Sequence, residues 1–195
     1  MRTIYLIRHG KPELPEGERI CLGCTDVPLS AQGHQQGEQL AKYFGGIALT
    51  GVYSSDMRRG KETAAHIAPQ VTTVSGLQEL GVGCWEGMSF REIRERYPEL
   101  YALRGENPAE YIMPGGERPA ACRDRALAAL HSLLAKTEGD IAVVAHAGVN
   151  RLILCELLGR DIKEFLSIPQ PYGCINILQT DGEKLTVKQV AIECD

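Results

Sequence analysis

Two histidines, His9 and His146, each follow directly on a short apolar run that predicts a strand buried on both faces. The runs cover residues 3–7 and 141–145, and neither shows polar alternation. Ligands of open α/β sheets bind at the carboxyl ends of the parallel strands, so residues that follow separate strands can converge there. We therefore expect both imidazoles to face one cavity, although they are far apart in the sequence.

Arginines accompany these histidines. Arg8 is adjacent to His9, and Arg58 and Arg59 follow a third short strand predicted at 52–55. Guanidinium groups match phosphate oxygens through charge-assisted hydrogen bonds, and their positive charge disfavours protonation of a nearby imidazole. A histidine kept neutral beside a bound phosphate is a candidate nucleophile.

Glu79 completes this arrangement as a candidate proton donor. It lies in the turn-rich stretch 76–81, after a short strand predicted near 71–74. A carboxyl group can protonate a departing alkoxide and later take a proton from an attacking water.

The remaining pattern predicts an α/β fold. Helices are expected at 31–44, 57–68, 89–104, 117–136 and 148–158, and they alternate with the strands. Two further strands, 175–178 and 185–187, flank the turn signal Asp181-Gly182 and predict an antiparallel edge hairpin. We expect a single domain over 1–195, built as a three-layer sandwich with a mostly parallel central sheet and helices on both faces.

Composition narrows the classes of partner. The 195 residues carry 21 Lys and Arg against 25 Asp and Glu, and no basic run offers a track for a nucleic acid. No leader or membrane-spanning stretch is evident, so we expect a cytoplasmic protein that does not bind membranes. The seven cysteines are irregularly spaced and are interpreted as reduced thiols. The Cys21/Cys24 pair is expected to be incidental or to pack a loop, with redox or metal binding as alternatives.

Several ordered motifs resemble those of a known family. Arg8-His9-Gly10 after the first strand and His146-Ala147-Gly148 after the late strand resemble the signature of the histidine phosphatase superfamily, which also contains the phosphoglycerate mutases. The likeness extends through the segments 26–33, 53–64, 77–87 and 114–117, and it covers roughly residues 3 to 180. It implies a phosphoglycerate mutase-like fold. The length and the Trp85-Glu86-Gly87 string look similar to the α-ribazole phosphatase branch.

The resemblance also implies roles. It makes His9 the phosphorylated nucleophile and Glu79 the acid/base, and it favours Arg59 over Arg58 for the pocket. The substrate-binding residues are expected to be Arg8, Gly10, Lys11, Arg59, His146 and Gly148, of which Lys11 lies in a segment that departs from the family pattern. Neither a metal nor a cofactor is required, because arginines neutralise the charge.

One segment departs from the family pattern. Many members have Gly-Glu-Thr or Gly-Glu-Ser followed by an Asn, whereas Lys11-Pro12-Glu13 follows Gly10 here. Lys11 is either a replacement cation near the substrate or a solvated lysine. Trp85 and Glu86 are expected to anchor the loop after Glu79 rather than to shape the pocket, and the three helical histidines, at 34, 66 and 131, are given no role.

Three functions remain open. The first is hydrolysis of a small phosphomonoester, which the short segment between Glu79 and His146 favours. The second is a cofactor-dependent phosphoglycerate mutase, and the third is a non-catalytic module that binds phosphorylated ligands. Specificity is expected to reside in 97–117, with the entrance lined by Tyr97, Tyr101, Arg104, Tyr111 and Met113. The sequence does not indicate an oligomeric state.

Overall fold

The centre of the fold is a mixed six-stranded sheet, seen in a computed structural model that describes residues 1–110 and 112–194. Across the sheet the strand order is β3-β2-β4-β1-β5-β6. The first four of these strands run parallel, whereas β5 is antiparallel to both β1 and β6. The mostly parallel sheet with an antiparallel edge hairpin is thus confirmed. The strands are β1 (Arg2–Arg8), β2 (Gly51–Ser54), β3 (Thr72–Thr73), β4 (Ile141–Ala145), β5 (Ile175–Thr180) and β6 (Leu185–Ile192).

Helices connect the parallel strands. They are α1 (Ala31–Phe44), α2 (Arg58–Ile67), α3 (Phe90–Arg96), α4 (Pro98–Glu106), α5 (Pro119–Ala135) and α6 (Ala147–Leu157). Two short 3₁₀ helices, Gly83–Trp85 and Ile162–Ser167, were not predicted. Four of the five predicted helices occur with ends shifted by no more than about two residues.

The prediction of one helix over 89–104 was wrong, because α3 and α4 are separate helices. The break falls at Tyr97, whose φ of −133° and ψ of 53° are not helical. Pro98 causes it, since a proline ring excludes the residue before it from the helical region and has no N–H to donate. At the first position of α4 the same proline is favourable.

The core lies on both faces of the sheet. Along β1, Ile4 and Leu6 pack into a cluster with α5 and α6, whereas Tyr5 and Ile7 pack into a second cluster with α1 and α2. Strand β4 is buried along its whole length. Each fully buried aliphatic side chain stabilises the fold by roughly 1.5–3 kcal/mol. The three-layer arrangement follows from this alternation and fixes the strand ends that carry the site.

The edge hairpin turns where Asp181-Gly182 predicted it. The Asp181 carboxylate accepts hydrogen bonds from the backbone N–H groups of Glu183 and Lys184, both at 3.0 Å. Gly182 has a φ of 107°, a conformation that favours glycine. Among the residues described, no helix combines the length and the apolar character that a membrane span needs.

Candidate active site

The two strand-end histidines lie side by side. Strands β1 and β4 are parallel neighbours with Arg8 opposite Ala145, so His9 and His146 leave the sheet at the same edge. Their ring centroids are 5.0 Å apart. Both side chains are buried, with 3% and 0% of the residue surface exposed.

Hydrogen bonds fix the tautomer of His9. Its Nδ1 lies 2.6 Å from the carbonyl oxygen of Gly10, which can only accept, so Nδ1 carries the proton. Its Nε2 accepts a hydrogen bond from Nε of Arg59 at 3.3 Å. Burial, followed by the positive charges of Arg8 and Arg59, lowers the pKa of His9 well below its usual value. The imidazole is therefore neutral, with its lone pair at Nε2.

Arg59 is placed by the start of α2 and is only 1% exposed. Its two terminal nitrogens donate to the carbonyl oxygens of Gly23 and Thr25, each at 2.8 Å. Three nitrogens of Arg59 are thus hydrogen-bonded, one to His9 and two to the loop around residue 24. Arg58 instead points outward and pairs with Glu62 at 2.6 Å, with 57% of its side chain exposed.

Glu86 fixes that loop. Its carboxylate accepts hydrogen bonds from the backbone N–H groups of Gly23, Cys24 and Thr25 at 2.9, 3.1 and 2.8 Å. Burial acts to raise the pKa of Glu86, but the donors from Thr25, Gly23 and Cys24 outweigh it and hold the pKa below its usual value. Trp85 is fully buried beside it. Glu86 thus anchors the loop at 23–25, which holds Arg59, and not the loop after Glu79 that the sequence analysis named.

Arg8 reaches the site from the end of β1. One terminal nitrogen donates to the carbonyl oxygen of Gln170, and the guanidinium carbon lies 3.7 Å from the ring centroid of Tyr172. The Tyr172 ring is in turn 5.7 Å from that of His9. Within the described residues, Nε of Arg8 is buried without a hydrogen-bond partner.

His146 uses one ring nitrogen within the protein. Its Nε2 shares a hydrogen bond with Oγ of Ser55 at 2.7 Å, whereas its buried Nδ1 has no partner in the part of the chain that the structure describes. Burial, and then the neighbouring His9 and the arginines, lower the pKa of His146 well below its usual value. A buried unpaired nitrogen costs free energy that a bound ligand can recover.

Glu79 lies at the N-terminus of α6. Its carboxylate accepts from the backbone N–H groups of Leu80 at 2.8 Å, Gly148 at 3.1 Å and Val149 at 3.2 Å. A Cβ on Gly148 would lie 2.5 Å from a carboxylate oxygen of Glu79. Gly148 therefore supplies both a donor and the space that this carboxylate occupies.

A cavity of about 850 Å³ opens over these groups. Six of the eight sequence-derived site residues line it, namely Arg8, His9, Lys11, Arg59, Glu79 and Gly148. The other two do not contribute to its surface. His146 is completely buried, and the N–H of Gly10 is engaged by Oγ1 of Thr63 at 3.0 Å. Lys11 is exposed, and its amino group contacts Gln32 at 3.0 Å.

The predicted entrance residues were mostly wrong. Arg104 lines the cavity, but Tyr97, Tyr101 and Met113 pack in a hydrophobic cluster around Trp85. Their apolar surface is used to bury an indole instead of facing solvent. Tyr111 lies outside the described residues. The opposite wall comes instead from the segment 11–22, together with residues of α6 and the loop before β5.

Sequence reasoning missed several polar contacts of the site. Ser55, Gln170 and Tyr172 hold His146 or Arg8, and Gln170 is itself fixed by the buried side chains of Asn150 and Asn176. The one available signal was the Pro- and Gly-rich string at 169–173 next to a strand, which marks a loop near the ligand edge of the sheet.

No alternative metal centre accompanies this site in residues 1–110 and 112–194, where no group of three or more His, Cys, Asp or Glu side chains could hold an ion. Cys21 is a buried free thiol whose pKa burial raises to about 11, and Cys24 is an exposed free thiol. His34 and His66 contact each other at 3.1 Å on the surface, away from the cavity.

A three-layer α/β fold with two neutral histidines beside a buried and a partly buried arginine defines the class to which this chain belongs. Residues 4–193 match the histidine phosphatase superfamily (branch 1), so the chain is a member of that family.

Individual relatives fit that assignment. The chain is 30% identical over 186 residues to the 6-phosphofructo-2-kinase/fructose-2,6-bisphosphatase of Gallus gallus, spanning 89% of this chain but only 38% of that protein. It is 29% identical to phosphoserine phosphatase 1 of Hydrogenobacter thermophilus, over 100% of this chain and 94% of that protein.

Solved structures share the fold. Bacillus stearothermophilus YhfR superposes with a TM-score of 0.89 at 28% identity, covering 97% of this chain and 96% of that one. The α-ribazole phosphatase of Shigella flexneri superposes with a TM-score of 0.86 at 22% identity, covering 97% and 96%. At this lower identity the likeness concerns the fold alone.

Proposed function

We propose that this chain is a phosphatase that hydrolyses a small phosphomonoester through a phosphohistidine on His9. The observation that carries the proposal is the state of His9, a neutral imidazole with its proton on Nδ1 and its Nε2 lone pair beside the guanidinium of Arg59. A nucleophile needs that lone pair, and a phosphoryl group needs fixed cations around it.

The chemistry follows in two steps. Nε2 of His9 forms a bond to phosphorus while the ester P–O bond breaks, and the departing alkoxide takes a proton from the Glu79 carboxyl group. Glu79 then takes a proton from water, whose oxygen attacks phosphorus as the P–N bond breaks. Inorganic phosphate leaves, and His9 returns to its neutral form. Arg8 and Arg59 stabilise the charge on the transferring group, and His146 lies beside the nucleophile with 5.0 Å between the two ring centroids.

The proposal is tested with His9→Ala against a matched control, His131→Ala, which removes an exposed histidine from α5. Phosphate release is measured on a panel of sugar phosphates, nucleotides, phosphoserine, phosphoglycerates and α-ribazole phosphate. We expect His9→Ala to lose turnover and the acid-labile phosphoenzyme, and His131→Ala to keep both. Hydrolysis by His9→Ala at the unsubstituted rate would refute the assignment.

The same panel separates the alternatives. Rapid isomerisation of 3-phosphoglycerate with a bisphosphate primer, without net phosphate release, would identify a mutase. Tight phosphate binding without turnover on any ester would identify a binding module.

A further inference from the structure

The cavity carries an excess of positive charge that transfer of one phosphoryl group does not use. It is lined by six cationic side chains and three carboxylates, whereas the whole chain has a net charge of -4. One of the carboxylates, Glu18, is paired with Arg91 at 2.5 Å. The cations are Arg8, Lys11, Arg19, Arg59, Arg104 and Arg151. A concentration of like charge in a cleft attracts an anion of matching charge.

Arg151 is held with its charge uncompensated. It lies on the same face of α6 as Ala147 and Gly148, both of which line the cavity, because residues three and four apart are neighbours on a helix. Its Nε donates to the carbonyl oxygen of Ile168 at 2.8 Å. Its two terminal nitrogens have no hydrogen-bond partner among the described residues, and this pair of donors is the part that matches a carboxylate or phosphate.

Arg104 faces the cavity from α4. Its guanidinium carbon lies 5.7 Å from the ring centroid of the buried Trp85, and it forms no hydrogen bond or ion pair with any described residue. Burial and then repulsion from the charge of Arg8 lower the pKa of Arg151; repulsion from Arg104 acts in the same direction, and the Glu79 carboxylate acts in the opposite one. A second anion in this region would relieve that repulsion.

Several arginines outside the cavity lining have a carboxylate partner. Arg58, Arg91, Arg123 and Arg125 each pair with a carboxylate at 2.5–3.1 Å. Arg104 and Arg151 differ from these four in that they line the cavity and have no carboxylate partner among the described residues.

We propose that Arg104 and Arg151 form a second anion subsite, and that the substrate is a phosphomonoester with another anionic group, a carboxylate or a second phosphate, beyond the reacting one. The inference rests on the proposed function in that the first anion is the ester phosphate at His9.

Matched substrate pairs test it. 3-Phosphoglycerate and glycerol 3-phosphate differ in a carboxylate against a hydroxymethyl group, and propane-1,3-diol bisphosphate and 3-hydroxypropyl phosphate differ in a second phosphate. The measured quantity is the ratio of kcat/KM within each pair. We expect a ratio of about 10 or more for at least one pair, the effect of a charge-assisted bond to a planar donor pair. The pair with the larger ratio identifies the anion.

The variants are Arg104→Gln and Arg151→Gln, with Arg94→Gln as the control. Arg94 also stacks on an aromatic ring, 5.9 Å from Tyr101, but it does not line the cavity. The selectivity ratio should fall about tenfold in each cavity variant, stay unchanged in Arg94→Gln, and be largely kept in Arg151→Lys, which retains the charge. A ratio near one in the unsubstituted protein, or an unchanged ratio in Arg104→Gln combined with Arg151→Gln, would overturn the subsite.

These results are distinguishable from failure of the phosphatase proposal. If no ester is hydrolysed, calorimetric binding of 3-phosphoglycerate and glycerol 3-phosphate replaces the kinetic ratio. Preferential binding of 3-phosphoglycerate that is lost in Arg104→Gln supports the subsite, and equal binding of the two compounds overturns it.

Discussion

Glu86 offers a direct test of how the site is positioned, because it touches neither the cavity nor His9. It holds the N–H groups of residues 23–25, and the carbonyl oxygens of Gly23 and Thr25 hold Arg59. We expect Glu86→Gln to lower kcat by releasing this loop and, with it, the guanidinium.

The magnitude follows from the hydrogen bonds. In the glutamine variant the amide oxygen can keep the two bonds made by Oε1, but the NH₂ group then faces the N–H of Cys24 and that bond is lost. A hydrogen bond to a charged group contributes about 1.5–3 kcal/mol. If about 2 kcal/mol is lost and all of it reaches the transition state, kcat falls by about 30-fold, and it falls less if only part of that free energy is expressed in the transition state.

Two measurements check this prediction. Steady-state hydrolysis of para-nitrophenyl phosphate gives kcat, and an NMR titration follows the His9 ring. Because Arg59 is one cause of the lowered pKa of His9, that pKa should rise in Glu86→Gln. The control is Asp181→Asn, which also removes a carboxylate with two backbone bonds but lies in the hairpin turn. An unchanged kcat and an unchanged His9 titration in Glu86→Gln would contradict the reasoning.

Two further predictions concern the pH dependence of stability and the room that the Glu79 carboxylate needs beside Gly148. Burial, with Arg8 and Arg59, keeps His9 neutral in the folded state, whereas in the unfolded chain it binds a proton below about pH 6.5. The free energy of unfolding should therefore decrease as the pH falls below that value. Urea unfolding at pH 7.5 and 5.5 measures this decrease, which should be roughly 1 kcal/mol smaller in His9→Gln than in the unsubstituted protein. Equal decreases in the two proteins would exclude this linkage. Gly148→Ala places a Cβ 2.5 Å from the Glu79 carboxylate, so kcat should fall on the order of 100-fold. Its Tm should stay near the original value because alanine suits a helix better than glycine, and full activity would show that Glu79 does not need its present position.

The fold was predictable wherever the apolar pattern and the turn-forming residues of the sequence indicate the same element. The apolar runs that became β1 and β4 are buried on both faces, so their composition alone distinguishes them from surface strands. The hairpin was predictable from Asp181-Gly182, since the turn needs those residue types. The helix at 89–104 was mispredicted although Pro98 carried the signal, because the charged segment before it has a helical pattern of its own.

The candidate site was predictable as far as it depends on strand ends. His9, His146 and the Arg58-Arg59 pair were found because each follows a recognisable strand, and a parallel sheet brings such positions together; the choice of Arg59 came from the family resemblance. The cavity wall was not predictable in the same way. Tyr97 and Tyr101 were expected at the entrance from their residue type, but the nearby Trp85 must be buried, and these rings bury it. One sequence does not show which of two apolar uses an aromatic side chain serves.

Three of the five arginines that line the cavity share a feature that no side-chain pattern could reveal. Arg8, Arg59 and Arg151 are each held by backbone carbonyl oxygens, whereas Arg58 and Arg123 are held by carboxylates and Arg125 by a carboxylate and two carbonyl oxygens. A carbonyl oxygen orients a guanidinium without cancelling its charge. The cavity therefore keeps its positive charge available to an anion while the side chains remain fixed. Every residue has a backbone carbonyl, so the sequence does not show which carbonyl oxygens hold these arginines. That depends on the path of the loops at 23–25 and 168–172, which only the folded chain specifies.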